Sequence, residues 1–282
     1  MNFKSYSTIL TGTVIAQLIN IVSLLVFTRL YEPSDFGLYQ IYFSVMNVLL
    51  MVACYRYEVS LLNVQEGSDL NILVRLIFYL CLLNAVILCI LIMAFGDFLE
   101  ARFKIPKSAL YIFPFALVFG GIYQALSYFP IRNQHYLLAG SHKISQASGF
   151  FGIGLILGNS SISHIGLIFG DMFGRLFATG HILLSYVKSS ELFPFKREPI
   201  KIKKYLNSAR KNIDSLTFIF PGTLLSSLVA LMLPLYLANQ FSIDILGQYS
   251  LVERFLLAPC TILAVAISQV VTGNFAAQVR AK

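Results

Sequence analysis

Long uncharged stretches alternate with short charged segments along the chain. An α-helix rises 1.5 Å per residue, so about 20 residues cross the roughly 30 Å hydrocarbon core of a bilayer. Each uncharged stretch reaches or exceeds that length, and the pattern therefore predicts membrane-spanning helices. The stretches cover residues 5–28, 36–55, 76–96, 108–131, 144–170, 215–243 and 255–279.

One of these stretches is too long for a single span. The apolar run that begins at residue 144 continues to Val187, and Gly158-Asn159-Ser160-Ser161 supplies a turn in its middle. We expect two helices here, at 144–158 and 163–187. The sequence thus predicts an all-α fold, a polytopic transmembrane helical bundle of about eight helices.

Composition supports a lipid environment. Apolar residues make up 57% of the 282 residues and charged residues 12%, whereas soluble domains carry roughly 25% charged residues. Cys54, Cys81, Cys89 and Cys260 lie inside apolar runs without metal-ligand spacing and are interpreted as small buried side chains. The chain contains no nucleotide-binding motif and no catalytic constellation of its four histidines. We therefore expect no enzymatic activity, no cofactor and no metal.

The distribution of basic residues predicts an orientation. When successive loops are assigned to alternate sides, one side receives fifteen of the twenty-one Lys and Arg residues. The positive-inside rule then predicts that both termini are cytoplasmic, in a bacterial inner membrane. A basic cytoplasmic face also accounts for the net charge of +8, so no nucleic-acid partner is expected.

The longest polar stretch, residues 188–215, contains eight of these basic residues. It has the composition of a cytoplasmic connection between two structural halves. Two interpretations remain open: an amphipathic segment that lies along anionic lipid headgroups, or a segment that only determines topology.

A weak internal repeat separates the two halves. A shift of 210 positions aligns the first two predicted helices with the last two, placing Gly12-Thr13 on Gly222-Thr223, Gly37 on Gly247 and Tyr39 on Tyr249. The second copy starts six helices after the first, on the same side of the membrane, which predicts a parallel repeat about an axis along the membrane normal. We expect a first lobe at 1–187, the connection at 188–215 and the start of a second lobe at 216–282. The second lobe is then either missing or completed by another chain.

The turn after the first predicted helix carries a more specific signal. Its Arg-Leu-Tyr-x-Pro-x-x-Phe-Gly string, from Arg29 to Gly37, resembles the N-terminal motif of the polysaccharide exporter family, the lipid-linked saccharide flippases of the multidrug, oligosaccharidyl-lipid and polysaccharide exporter superfamily. Residues 166–170, 254–259 and 268–270 are similar to that family more loosely. Members usually have twelve or more helices in two six-helix lobes, so the resemblance implies that this chain is C-terminally short.

The resemblance implies a function as well as a fold. It implies that the chain flips a polyprenyl-diphosphate-linked oligosaccharide, such as an O-antigen or capsule repeat unit, by alternating access. The expected partners are that saccharide lipid, membrane lipids, and either a polysaccharide polymerase or a second copy of the chain. The alternatives are a drug or metabolite exporter of the same superfamily, and a truncated inactive remnant or assembly subunit.

Charged residues inside predicted spans are the candidate site residues, because an unpaired charge in the bilayer interior is costly. Arginine suits a diphosphate, since it stays charged and binds phosphate oxygens through two N–H groups. We expect a cationic cavity that contains Arg29, Arg175 and Arg254, with Arg56, Arg132 and Lys143 at its cytoplasmic mouth. Asp171, four residues from Arg175, is a candidate for exchanging a coupling ion.

Structural interpretations compete with two of these assignments. Asp171 and Arg175 lie on one helical face and could form a neutral pair that only stabilises the fold. In the turn, Pro33 restricts Glu32 to extended angles and Gly37 permits close packing. Arg29 and Tyr31 would then be interfacial anchors.

Overall fold

The fold is a bundle of α-helices. The computed structural model describes residues 3–65, 67–160, 162–188 and 202–280, which are almost entirely helical and contain no strand. The eight long helices are α1 (Phe3–Phe27), α2 (Pro33–Cys54), α4 (Ser68–Phe103), α6 (Phe113–Arg132), α7 (Tyr136–Gly158), α8 (Gly166–Lys188), α10 (Phe220–Gln240) and α11 (Ile243–Arg280). Three shorter helices are α3 (Tyr57–Ser60), α5 (Lys107–Leu110) and α9 (Ile202–Lys211).

The prediction of an all-α transmembrane bundle of about eight helices is confirmed. Within the described ranges, five helical segments are long and apolar enough to cross a membrane, and they contain α2, α4, α6, α8 and α10. A shorter apolar helical segment covers Thr11–Phe27 in α1. We call the side on which α1 begins, α2 ends and α4 begins the basic face; it is the side predicted to be cytoplasmic.

The helices extend beyond the uncharged stretches that predicted them. The uncharged stretches begin at 76, 144 and 255, whereas α4, α7 and α11 begin at Ser68, Tyr136 and Ile243. A charged residue near a helix end does not stop the helix when its side chain reaches headgroups, water or a polar cavity. α4, with 36 residues, is about 54 Å long and exceeds the roughly 30 Å hydrocarbon core.

Local chemistry defines the turn between α1 and α2. Glu32 is extended, with φ −77° and ψ 158°, and Pro33 is the first residue of α2. The Glu32 N–H donates a hydrogen bond to Asp35 Oδ2 over 3.1 Å, which satisfies a backbone donor at the helix start. The predicted effect of Pro33 on Glu32 is confirmed.

Helices α2 and α11 exchange equivalent contacts. A Cβ on Gly37 would overlap the carbonyl oxygen of Ile243, and a Cβ on Gly247 would overlap the carbonyl oxygen of Pro33. Under the 210-residue shift, Gly37 corresponds to Gly247 and Pro33 to Ile243. Helix α1 likewise packs against α11, as α10 packs against α2. Such reciprocity is expected of two helix pairs related by a two-fold axis.

The close approach leads to a prediction about Gly247. Changing it to alanine should lower the free energy of unfolding of the detergent-purified chain by about 1–3 kcal/mol, the usual cost of overpacking. The Cβ would meet the Pro33 carbonyl oxygen, a backbone atom that cannot rotate away as a side chain can. Thermal unfolding followed by circular dichroism measures the effect.

Gly180 provides the matched control. It lies inside α8, and a Cβ there would meet no atom within 4 Å. Alanine at Gly180 should be neutral or stabilising by up to about 1 kcal/mol, because glycine weakens helix interiors. Equal stability of the two variants would contradict the proposed tight contact between α2 and α11.

Candidate functional site

A cavity of about 550 Å³, partly open to its surroundings, is lined by residues of α1, α2, α6, α7, α8 and α11. Its volume falls within the roughly 300–1,000 Å³ typical of small-molecule sites. Aromatic and aliphatic side chains form much of the wall. The polar side chains that line it are Thr13, Gln17, Asn20, Gln40, Tyr123, Lys143, Gln146, Asp171, Glu253 and Arg254.

Gln40 of α2 connects two charged residues of α11. Its Oε1 accepts a hydrogen bond from the Arg254 guanidinium over 3.0 Å, and its Nε2 donates to Glu253 Oε2 over 3.2 Å. The Arg254 guanidinium also lies over the rings of Tyr39 and Phe43, at 4.6 and 5.4 Å from their centroids. These partners of Arg254 are neutral, so its charge remains available to an anion in the cavity.

Arg175 behaves differently, because it is paired with a carboxylate. Its Nε donates to Asp171 Oδ2 over 2.9 Å, and both side chains are buried. Tyr42 on α2 donates to the same oxygen over 3.3 Å. Asp171 lines the cavity, whereas Arg175 lies beside it against α6, where its Cδ is close to Gly120. The geometry favours the structural pair over a free cation at Arg175.

Lys143 is the predicted mouth residue that reaches the cavity. It projects from α7, and its Nζ donates to Thr13 Oγ1 on α1 over 3.0 Å. The neighbouring His142 is buried and hydrogen-bonds through Nδ1 with the Tyr123 hydroxyl over 3.1 Å. α1, α6 and α7 are therefore joined by polar contacts on this side of the cavity.

The structure does not bring Arg29 to the cavity. Its side chain is exposed at the turn between α1 and α2, outside the membrane-spanning segments and outside the cavity lining. The predicted interfacial role of Tyr31 is also wrong, because the ring is buried and its hydroxyl donates to the Gly154 carbonyl over 2.6 Å. Burial raises the pKa of Tyr31 to about 12, so the hydroxyl stays a donor. Tyr31 anchors the turn to α7.

Arg56 and Arg132 also lie outside the cavity. Arg56 has a left-handed backbone and pairs with the buried Glu58 over 3.2 Å. Burial raises the pKa of the Glu58 carboxyl, and the charge of Arg56 opposes that shift. Arg132 is 1% exposed and donates to the carbonyls of Leu61 and Val64. Both arginines hold the segment after α2 rather than a substrate.

The expectation of a strongly cationic cavity therefore needs correction. The lining carries Lys143 and Arg254 as cations, and Asp171 and Glu253 as acids. Including Arg175 beside Asp171 gives three cations against two carboxylates, a formal surplus of one. Three of the six predicted basic residues, Arg29, Arg56 and Arg132, lie outside the cavity. A charged residue near a helix end does not face the cavity merely because residues close to it in the sequence do.

Four carboxamide side chains in the cavity were not among the predicted site residues. Gln17 and Asn20 on α1, Gln40 on α2 and Gln146 on α7 all line the cavity. Asn20 donates to Gln17 over 3.1 Å, one helical turn away. A signal was present, since amide side chains inside transmembrane helices are costly and usually face the protein interior rather than lipid. Uncharged polar residues in predicted spans are therefore candidate site residues, as charged ones are.

Comparisons with known proteins extend this description only at the level of fold. No protein-family model matches the chain, and no curated protein matches it either. A solved structure described as protein A is similar to it, with a TM-score of 0.74 and 15% sequence identity. The similarity covers 100% of this chain and 67% of that chain. The chain is a membrane-embedded helical protein whose fold resembles part of a longer solved chain.

Proposed function

We propose that the chain translocates a polyprenyl-diphosphate-linked oligosaccharide across the bacterial inner membrane by alternating access. The observation that carries the proposal is the cavity, which places cations, carboxamides and aromatic rings inside an otherwise apolar bundle. Charged and polar groups in a membrane interior usually mark a substrate or ion pathway. The resemblance of the turn from Arg29 to Gly37 names the substrate class.

In this proposal Arg254 binds the diphosphate. Its present partners are a neutral amide and two aromatic rings, so a phosphate oxygen would replace a weaker acceptor. A phosphate oxygen carries negative charge, and phosphate can accept two parallel N–H bonds from one guanidinium. Lys143, on α7 across from α11, is the second candidate contact. The carboxamides supply both donors and acceptors for sugar hydroxyls, while the polyprenyl tail remains in lipid.

One observation favours the second candidate function, export of a cationic drug or metabolite. Asp171 and Glu253 line the same cavity and would attract a cation. Both carboxylates already accept hydrogen bonds from protein groups, Asp171 from Arg175 and Tyr42 and Glu253 from Gln40. The formal surplus of one positive charge in and beside the cavity makes an anionic substrate the better fit.

Complementation tests the proposal. The chain should restore surface polysaccharide when it is expressed in a bacterium that lacks its O-antigen flippase. An inserted chain that gives no polysaccharide, but lowers the accumulation of a cationic dye, would overturn the saccharide proposal in favour of the exporter. Membrane fractionation and immunodetection establish insertion. Coexpression of a second copy or of a polysaccharide polymerase tests whether a partner is needed.

A further inference from the structure

Helix α9 (Ile202–Lys211) differs from the spanning helices in its composition. It has four basic residues and no acid in ten positions: Lys203, Lys204, Arg210 and Lys211. At 100° per residue, the apolar residues fall on one side and the basic residues on the other. The apolar side contains Ile202, Tyr205, Leu206 and Ala209.

Only part of that apolar side is covered by protein. Tyr205 makes an edge-to-face contact with Tyr79 of α4, with ring centroids 5.7 Å apart. The Ala209 carbonyl accepts a hydrogen bond from the Tyr57 hydroxyl of α3 over 3.3 Å. By contrast, Ile202 is 80% exposed and Leu206 is 53% exposed. Among the residues that the structure describes, these two aliphatic side chains on one face are therefore more than half uncovered.

The position of α9 places these side chains at the membrane surface. Helix α9 packs along the first part of α4, where Lys211 forms an ion pair with Asp69 and Tyr205 contacts Tyr79. The uncharged part of α4 begins at residue 76, just after Arg75. Tyr79 thus lies at the edge of the hydrocarbon region, a usual place for tyrosine in membrane proteins. Helix α9 therefore lies on the basic face, beside the start of the uncharged part of α4.

We infer that α9 is a docking surface for anionic phospholipid headgroups on the basic face. The exposed apolar side chains enter the acyl boundary, and the basic side chains pair with headgroup phosphates. Each basic residue near an anionic surface strengthens association by a factor of about five. Of the two interpretations of the 188–215 connection, lipid binding thus applies to residues 202–211. This role does not depend on the proposed transport function. Residues 189–201 lie outside the described ranges.

Amide hydrogen exchange on the full chain tests the inference. Exchange of residues 202–211 is compared in phosphatidylglycerol and phosphatidylcholine nanodiscs, and it should be slower in phosphatidylglycerol. The difference should shrink with added salt, because the Debye length falls from about 10 Å at 0.1 M to about 3 Å at 1 M. The double change Lys203→Gln/Arg210→Gln should lower the ratio of the exchange rate in phosphatidylcholine to that in phosphatidylglycerol by a factor on the order of ten. Exchange within α6 reports whether each variant is folded.

The matched control removes the same number of charges from the opposite face. Arg102→Gln/Lys107→Gln changes two exposed basic residues and should leave the lipid dependence of α9 intact. Equal exchange in the two lipids, or a salt-independent difference in the unmodified chain, would overturn the inference. Protection that increases with protein concentration instead of lipid charge would mean that another protein copy covers Ile202 and Leu206.

Discussion

Changing Arg254 to alanine is expected to reduce surface polysaccharide by about tenfold or more in the complementation assay, while the chain still inserts. A hydrogen bond to a charged group contributes about 1.5–3 kcal/mol, which corresponds to a factor of roughly 10 to 150. The guanidinium lines the cavity, and its contacts are a neutral amide and aromatic rings. Alanine therefore removes the proposed substrate contact and leaves no carboxylate without its ion-pair partner. Quantification of surface polysaccharide, normalised to the amount of inserted chain, measures the effect.

Two further variants make this test specific. Arg254→Lys keeps the charge but loses the planar fork that binds two phosphate oxygens, so an intermediate activity is expected. Arg29→Ala removes an arginine that is exposed in the turn between α1 and α2, and it should leave activity unchanged. Full activity of Arg254→Ala would contradict a diphosphate contact at Arg254. Equal losses in Arg254→Ala and Arg29→Ala would attribute the effect to general loss of positive charge.

The helices could be predicted from the sequence because the bilayer imposes one strong requirement on it. An uncharged stretch of 20 residues has few stable alternatives to a spanning helix in lipid. The helix ends could not be predicted in this way. Asp244, Glu253 and Arg254 all lie within α11, where a cavity and an aqueous end accommodate their charges. The uncharged stretch at 255–279 is therefore shorter than α11, which begins at Ile243.

The site could be predicted only in part, for a geometric reason. A sequence position gives the approximate depth of a residue in the membrane, but not the side of the bundle that its side chain faces. Arg254 lines the cavity, and so do Lys143, which was expected at its mouth, and Asp171, which was a coupling-ion candidate, whereas Arg132 faces backbone carbonyls of the segment after α2. The hydrogen bonds of Gln40 could not be predicted from local sequence, because its partners are more than 200 residues away in the chain.

The internal repeat shows how a weak sequence signal becomes physically meaningful. Gly37 and Gly247 were aligned by a shift of the sequence against itself, and few identities supported it. The structure places each glycine against the backbone of the other helix. A shared spacing of glycines was informative because close backbone contact tolerates no side chain.

Asp171→Asn and Arg175→Gln are each expected to destabilise the chain by about 3–5 kcal/mol, because either change leaves a buried charge without its partner. The double variant buries no unpaired charge, so it should be more stable than either single variant, and the two losses should be strongly non-additive. Thermal unfolding in detergent gives the stabilities. The pair Asp97–Lys107 is the matched control: both residues are exposed, and Asp97→Asn/Lys107→Gln should change stability by less than about 1 kcal/mol.

The transport activity of the same double variant separates the two roles considered for Asp171. Arg175 is tied to Asp171, and Tyr42 donates to the same carboxylate oxygen, so we expect a structural pair. The Asp171→Asn/Arg175→Gln chain should then transport in the complementation assay, since Arg254 and Lys143 remain. A stable double variant without transport would contradict the structural role and assign Asp171 or Arg175 to ion coupling or substrate binding. Because stability is measured separately, loss of folding cannot be mistaken for that result.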